Sequence, residues 1–244
     1  MTLPTAPAGR AVASSDKRRY VQSMFSAIAP RYDLLNRVLS LTIDRSWRRR
    51  AVDRLDWERR PEGVFLDACA GTLDLATELA RRGGFRGRVI ATDFALAMLR
   101  LGAGKPPAGT VRSAVADTLR LPLADASVDG AMVGFGVRNL AGLNEGLEEL
   151  ARVVRPGARA VVLDFTTPTN GVLRALYLAY FRRVLPLVGR LVSGHPTAYT
   201  YLPESVLDFP PPLELRARMR ASGFRDTGHQ LLTGGIAAVT WGIR

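Results

Sequence analysis

Asp67, Asp93 and Asp117 each stand at or just past the end of a short apolar run, and four small residues, Ala68 to Gly71, follow the first of them. Val64, Phe65 and Leu66 suit a strand buried on both faces. Small residues keep the following turn thin, so a ligand can approach its backbone. Leu75 and Leu79 then repeat at helical spacing, and that helix stops at Gly83 and Gly84. A strand, a small-residue turn and a helix N-terminus form a cofactor cradle. Asp93 closes the next apolar run, roughly twenty residues past Gly71, where an acid can accept hydrogen bonds from both hydroxyls of a ribose. It suits equally the N-cap of a helix that begins near Ala95. Asp117 precedes Leu121-Pro122-Leu123 and can accept from an exocyclic adenine amine. Three strands ending in Asp place three acceptors on the carboxyl edge of a sheet, where open α/β folds bind ligands.

The acids also choose among cofactors. Gly71 alone is a weak nucleotide motif, with an ordinary tight turn as the competing reading, and no Gly-rich loop ending in Lys-Ser or Lys-Thr is present. Asp67 and Asp74 beside the turn would repel a pyrophosphate and attract an ammonium and a sulfonium. S-adenosylmethionine carries both, with a ribose for Asp93 and an adenine for Asp117. Met98 can pack on the adenine face or serve as a core methionine. Cys69 reads as a small packing residue of the turn. His195 and His229 are the two histidines, and with one cysteine they compose no metal-ligand cluster.

The elements that must position these residues alternate. Strands are expected at 64–68, 88–93, 111–116, 128–133 and 158–165, with helices at 74–82, 95–101 and 143–154, the last stopped by Arg155-Pro156-Gly157. This βαβ order predicts an α/β fold with a parallel sheet covered on both faces. Two further strands, 224–231 and 236–241, add a terminal antiparallel pair and bring the sheet to seven strands. Before the first strand, residues 20–60 form a helical lid. Val21, Met24, Phe25 and Ile28 fall at helical spacing, Pro30 ends that helix, Tyr32 to Asn36 begin another, and Asp44 caps a third. A long helix spans 172–191, inside a cap that occupies 168–222. Residues 1–19 read as a disordered tail and 20–244 as one domain.

The chain has 244 residues, 47% of them hydrophobic, enough for a core without disulfides. A single cysteine and the lack of an apolar leader or a run of about 18 apolar residues fit a reducing, cytoplasmic setting. The charge, 34 Lys and Arg against 22 Asp and Glu for a net +12, favours nucleic acid, anionic lipid or acidic ligands, or else marks solvated helix faces rich in Arg. An RNA methyltransferase is one rival. The chain lacks the Asn-Pro-Pro-Tyr type motif of amino methylation and a Pro-Cys nucleophile.

Longer motifs then narrow the reading. Met24, Phe25, Ile28, Ala29, Pro30, Tyr32, Asp33 and Asn36, followed by Asp44, Trp47 and Arg48, resemble the opening signature of the quinone C-methyltransferases of menaquinone and ubiquinone biosynthesis. Phe135 to Asn139, Asp164 to Pro168, Tyr199 to Ser205, and Leu232 to Ile236 resemble later signatures of the same family. The likeness runs from about Tyr20 to the end. It implies a class I S-adenosylmethionine-dependent methyltransferase of Rossmann-like fold, with an N-terminal helical lid and cap helices after strand five. Its cofactor site, transferred, implies Thr72, Asp93, and Asp117 with Thr118. Gly134 stands where the family often has Ser, leaving backbone or water contact there. Leu73 stands where a small residue meets the methionine end, Asp164 where Glu is common, and Thr240 where His is common.

The acceptor so implied is a prenylated naphthoquinol or benzoquinol. Arg138 is the first candidate to stabilise phenolate charge or hold a water that takes the proton. Asn139 would orient the quinol oxygens and Tyr32 would close over the site. For Arg138 a structural ion pair competes, and for Tyr32 lid packing. The apolar segment 172–191, with Arg174, Arg182, Arg183 and Arg190 interspersed, reads either as a cap that meets a prenyl tail and an anionic membrane at its inner face, or as a buried helix or homodimer interface. No nucleic-acid partner is expected.

Overall fold

Along the first strand successive side chains point to opposite sides, and both sides are apolar. Phe65 enters one core cluster and Leu66 the other, as alternation in a fully buried strand requires. This strand, β1 (Val64–Ala68), lies inside a seven-stranded sheet, with a strand paired on either side. In the computed structural model, residues 14–40, 42–180, 183 and 198–244 are described. The remaining strands are β2 (Arg88–Asp93), β3 (Val111–Val115), β4 (Val128–Gly134), β5 (Val154–Phe165), β6 (Arg225–Leu232) and β7 (Ala237–Ile243). Their order is β3-β2-β1-β4-β5-β7-β6. The first five run parallel, and β7 is antiparallel to both β5 and β6. The sheet therefore reverses direction of growth between β1 and β4, which leaves a crevice at their carboxyl ends.

Helices cover both faces. The helices α1 (Ser14–Ser40), α2 (Asp44–Asp53), α3 (Asp74–Ala80), α4 (Leu96–Gly102), α5 (Leu143–Val153), α6 (Gly171–Ala179), α7 (Ala198–Leu207) and α8 (Pro212–Ala221) follow in chain order. Trp47, Val52, Leu75 and Leu79 of α2 and α3 pack on one face. Leu147, Leu150, Leu215 and Met219 of α5 and α8 pack on the other.

Several elements depart from the sequence reading. Pro30 does not end the first helix: α1 is continuous from Ser14 to Ser40 with Pro30 inside it. Proline removes one backbone donor, and packing holds the helix on either side. Ile28 and Ala29 are buried before it, and Asp33 is ion-paired after it. The helix also starts within the stretch read as tail, so that Lys17 and Arg18 belong to the folded chain. Asp44 is not the N-cap of α2 but its first residue, where it pairs with Arg48 and accepts from Ser40. Arg155-Pro156-Gly157 falls inside β5, which begins at Val154. Of the helix expected at 172–191, Gly171 to Ala179 is helical, with Asn170 capping it through its side chain. Residues 181–182 and 184–197, including His195, lie outside the described residues.

Gly102 ends α4 against the cradle turn. A Cβ there would lie 2.4 Å from the Thr72 carbonyl oxygen, a backbone atom that moves only with the turn. Overpacking of this kind costs about 1–3 kcal/mol. Gly102→Ala should therefore lower the thermal midpoint by roughly 2–12 °C. An unchanged midpoint in a calorimetric scan would show that the α4–cradle contact is loose.

Candidate active site

The turn after β1 is held from below by two buried carboxylates. Asp67 Oδ2 accepts from the Ala76 N–H at 2.9 Å. Asp93 Oδ2 accepts from the Gly71 N–H at 2.9 Å, and its Oδ1 from the Ala95 N–H at 2.8 Å. Cys69, Gly71 and Leu73 alternate in left-handed backbone at φ of 53°, 52° and 65°. That conformation costs an L side chain about 1–2 kcal/mol, so the cradle places strain at two non-glycine positions, a pattern found at ligand sites. The strain has a structural return at Leu73, whose side chain is turned into the core beneath the turn. The bulk expected to crowd a cofactor is thus on the far side of the backbone.

Above the turn lies a cleft with about 670 Å³ of empty space, part of it open to solvent. Gly71, Asp93, Met98, Asp117, Thr118, Gly134 and Asn139 all line it. Six of the residues assigned to a cofactor from the sequence therefore meet there. Two do not. Asp67 is fully buried below the cradle, where it supports the turn. Thr72 is buried and bonds Asp33 and Lys105. Asp74, read as a partner for a cationic group, is paired instead with Lys105 at 2.7 Å and Arg48 at 3.3 Å.

Among the residues assigned to catalysis, Asn139 lines the cleft. Arg138 stands behind it in a buried pair with Asp164, Nη1 to Oδ1 2.6 Å, and its guanidinium lies 5.4 Å from the Phe165 ring centre. The competing reading of Arg138 as a structural ion pair is thus realised, with a strand carboxylate as partner. Tyr32 lies in α1, and its side chain is outside the described residues.

Among the liners the sequence reading missed are Arg18, Phe25, Phe94 and Phe135. Arg18 pairs with Asp117 at 3.1 Å and comes from the stretch taken as tail. Phe94 follows Asp93 directly, and Phe135 stands in left-handed backbone at φ 59° between Gly134 and Gly136. Cys69 contacts Thr118 Oγ1 at 3.3 Å, and burial pushes its thiol well above the ordinary range, which suits packing rather than attack.

The residues present fit an adenosyl group, while the two acids read for a cationic end, Asp67 and Asp74, are engaged elsewhere. Two carboxylates, Asp93 and Asp117, line the cleft with the glycine of the turn, and Met98 offers an apolar contact. A phosphate would meet those carboxylates and, among the described residues that line the cleft, Arg18 as the one cation.

Burial, opposed by the Ala76 hydrogen bond and reinforced by Asp93, pushes the Asp67 carboxyl up to about 8 from 3.8. The native chain then holds a proton that the unfolded chain loses above pH 4. The stabilising contribution is complete below that pH and disappears as pH rises to about 8. Asp67→Asn cannot ionise. Its urea midpoint should fall less between pH 5.5 and 8.5 than that of the natural chain, and equal slopes would contradict a neutral Asp67.

Residues 12–244 match the ubiE/COQ5 methyltransferase family. A demethylmenaquinone methyltransferase of Deinococcus radiodurans is 48% identical, over 92% of this chain and 92% of that one. One of Thermus thermophilus is also 48% identical, over 91% of this chain and all of that one. The ubiquinone/menaquinone biosynthesis C-methyltransferase UbiE of Geobacter sulfurreducens is 43% identical, over 93% and 90%. Among solved structures, a SAM-dependent methyltransferase from Thermotoga maritima superposes with a TM-score of 0.64 at 18% identity, over 91% and 98%. The cyclase SpnF superposes with the same score at 14% identity, over 93% and 96%, so at this distance the likeness speaks for the fold alone. The full-length family match and relatives near half identity place this chain in the ubiE/COQ5 methyltransferase family.

Proposed function

We propose that this protein transfers the methyl group of S-adenosylmethionine to a ring carbon of a demethylated prenylquinol, with demethylmenaquinol as the preferred acceptor and the benzoquinol of the ubiquinone pathway as the second. The observation that carries this reading is the cleft lined by Gly71, Asp93, Met98, Gly134 and Asn139, in a chain nearly half identical to two demethylmenaquinone methyltransferases. The cofactor supplies an electrophilic methyl on a sulfonium. Asp93 and Asp117 hold its ribose and adenine, and Gly71 lets its methionine end approach the backbone. Asn139 orients an oxygen of the acceptor ring. Arg138 lies beside Asn139 with its charge partly balanced by Asp164, and stabilises the phenolate that raises electron density at the attacking carbon. Tyr32 closes the site from the lid. Alignment of carbon, methyl and sulfur can contribute about 7–11 kcal/mol.

A lipid acceptor calls for a route from the bilayer. No helix among the described residues is long and apolar enough to cross a membrane. On α6, Val172 and Leu176 are 74% and 64% exposed, one turn apart, and Arg174 and Arg183 are exposed nearby. An apolar stripe flanked by arginines suits the surface of an anionic leaflet at its cytoplasmic face.

Isotope-labelled cofactor, offered with each quinol and followed by mass spectrometry, should place one methyl on the naphthoquinol ring. Label on neither ring would overturn the assignment. In flotation with vesicles containing anionic lipid, the natural chain should float at low salt and Leu176→Glu should float less. Failure of the natural chain to float would refute the membrane contact.

A further inference from the structure

Asn139 faces the cleft with its side-chain amide already committed at the back. Its Nδ2 donates to the Phe135 carbonyl at 3.3 Å. A carbonyl only accepts, so Nδ2 must be the atom turned toward it. Oδ1 then faces the Tyr201 hydroxyl at 3.1 Å, and between an amide oxygen and a hydroxyl the hydroxyl must donate. Tyr201 comes from α7, in the cap. Its ring meets Tyr20 of the lid edge to face, centroids 5.8 Å apart, and burial pushes its phenol up to about 12, which keeps the proton in place. The backbone of the same short turn is gripped separately. Lys17 donates to the carbonyls of Arg138 and Leu140 at 3.3 and 2.8 Å. Tyr201 thus holds the other end of the Asn139 amide, reinforcing the orientation that the long contact to the Phe135 carbonyl favours.

The geometry points to Tyr201 as a positioning residue, whose hydroxyl holds the Asn139 amide so that its second Nδ2 hydrogen is presented to the cleft as a donor for an oxygen of the acceptor ring. This rests on the quinol reading above. A donor at that point favours phenolate over phenol. A flipped amide would offer an acceptor and repel the same oxygen, so the hydroxyl acts on turnover through Asn139 without touching the acceptor itself.

Tyr201→Phe keeps the ring and its contact with Tyr20 and deletes the donor. The expected result is an unchanged thermal midpoint and cofactor affinity, with kcat for the quinol lowered roughly two- to tenfold, the range of a single hydrogen bond. In an Asn139→Ala background the same substitution should have no further effect, because the group it orients is gone. A Tyr201→Phe enzyme with natural kcat and KM for the quinol would overturn the inference. So would an equal loss with and without Asn139. If the natural chain methylates neither quinol, the functional reading itself falls, and the donor role falls with it.

Discussion

One buried carboxylate ties the site together. Asp93 is the last residue of β2, yet its two oxygens accept backbone hydrogens from different turns, Gly71 after β1 and Ala95 at the start of α4. The bond to Ala95 is buried and that to Gly71 partly so, so loss of the carboxylate would leave at least one buried N–H unsatisfied, a cost of about 1–3 kcal/mol. The same residue stands in the cleft wall. Its position is therefore fixed by the fold before any ligand arrives, which is the condition for an acceptor that binds without reorganising. The sheet supplies the other half of the arrangement. Because β1 has β2 on one side and β4 on the other, the turns that follow β1 and β4 diverge, and the cleft is the space between them.

The lid is fastened to this frame by polar contacts as well as by the core that Trp47 and Val52 share with the sheet. Lys105, from the loop after α4, donates to Asp33 of α1, to Asp74 of α3 and to Thr72 of the cradle, at 2.6, 2.7 and 2.8 Å. Arg48 of α2 joins Asp74 to Asp44. The Lys105 pairs are partly exposed and each worth little, while Arg48 and Asp44 are buried. Their use here is geometric: they set lid helices at the rim of a turn that the sheet already holds. Arg138 and Asp164 form another largely buried pair, and removal of either partner would strand a buried charge.

The sheet was legible because its strands are apolar runs bounded by Asp or Gly. Residues 64–68 and 88–93 were read with their true limits. Depth was not legible. Asp67, Asp93 and Asp117 look alike in sequence, each closing a run. In the sheet Asp67 lies level with Ala91, and Asp93 level with Val115. Each acid is thus two residues farther out than the one before. Asp67 ends beneath the cradle and the other two in the cleft, and that stagger follows from register, which pattern alone does not carry. The lid helix was misjudged for a different reason. Pro30 has a strong local signal, and the contacts that override it, Asp33 with Lys105 and Ile28 with the aromatic cluster around Tyr177, come from residues distant in the chain. Arg18 was lost with the same helix, since nothing in its neighbourhood sets it apart from a charged tail.

The central claim is that the cleft above the Gly71 turn receives an adenosyl cofactor whose ribose is held by Asp93. A crystal structure with S-adenosylhomocysteine tests it most directly. The account predicts both ribose hydroxyls within hydrogen-bond distance of the Asp93 carboxylate and the adenine lodged between Met98 and the Asp117–Thr118 segment. A nucleoside bound elsewhere, or bound in the cleft with no contact to Asp93, would contradict it.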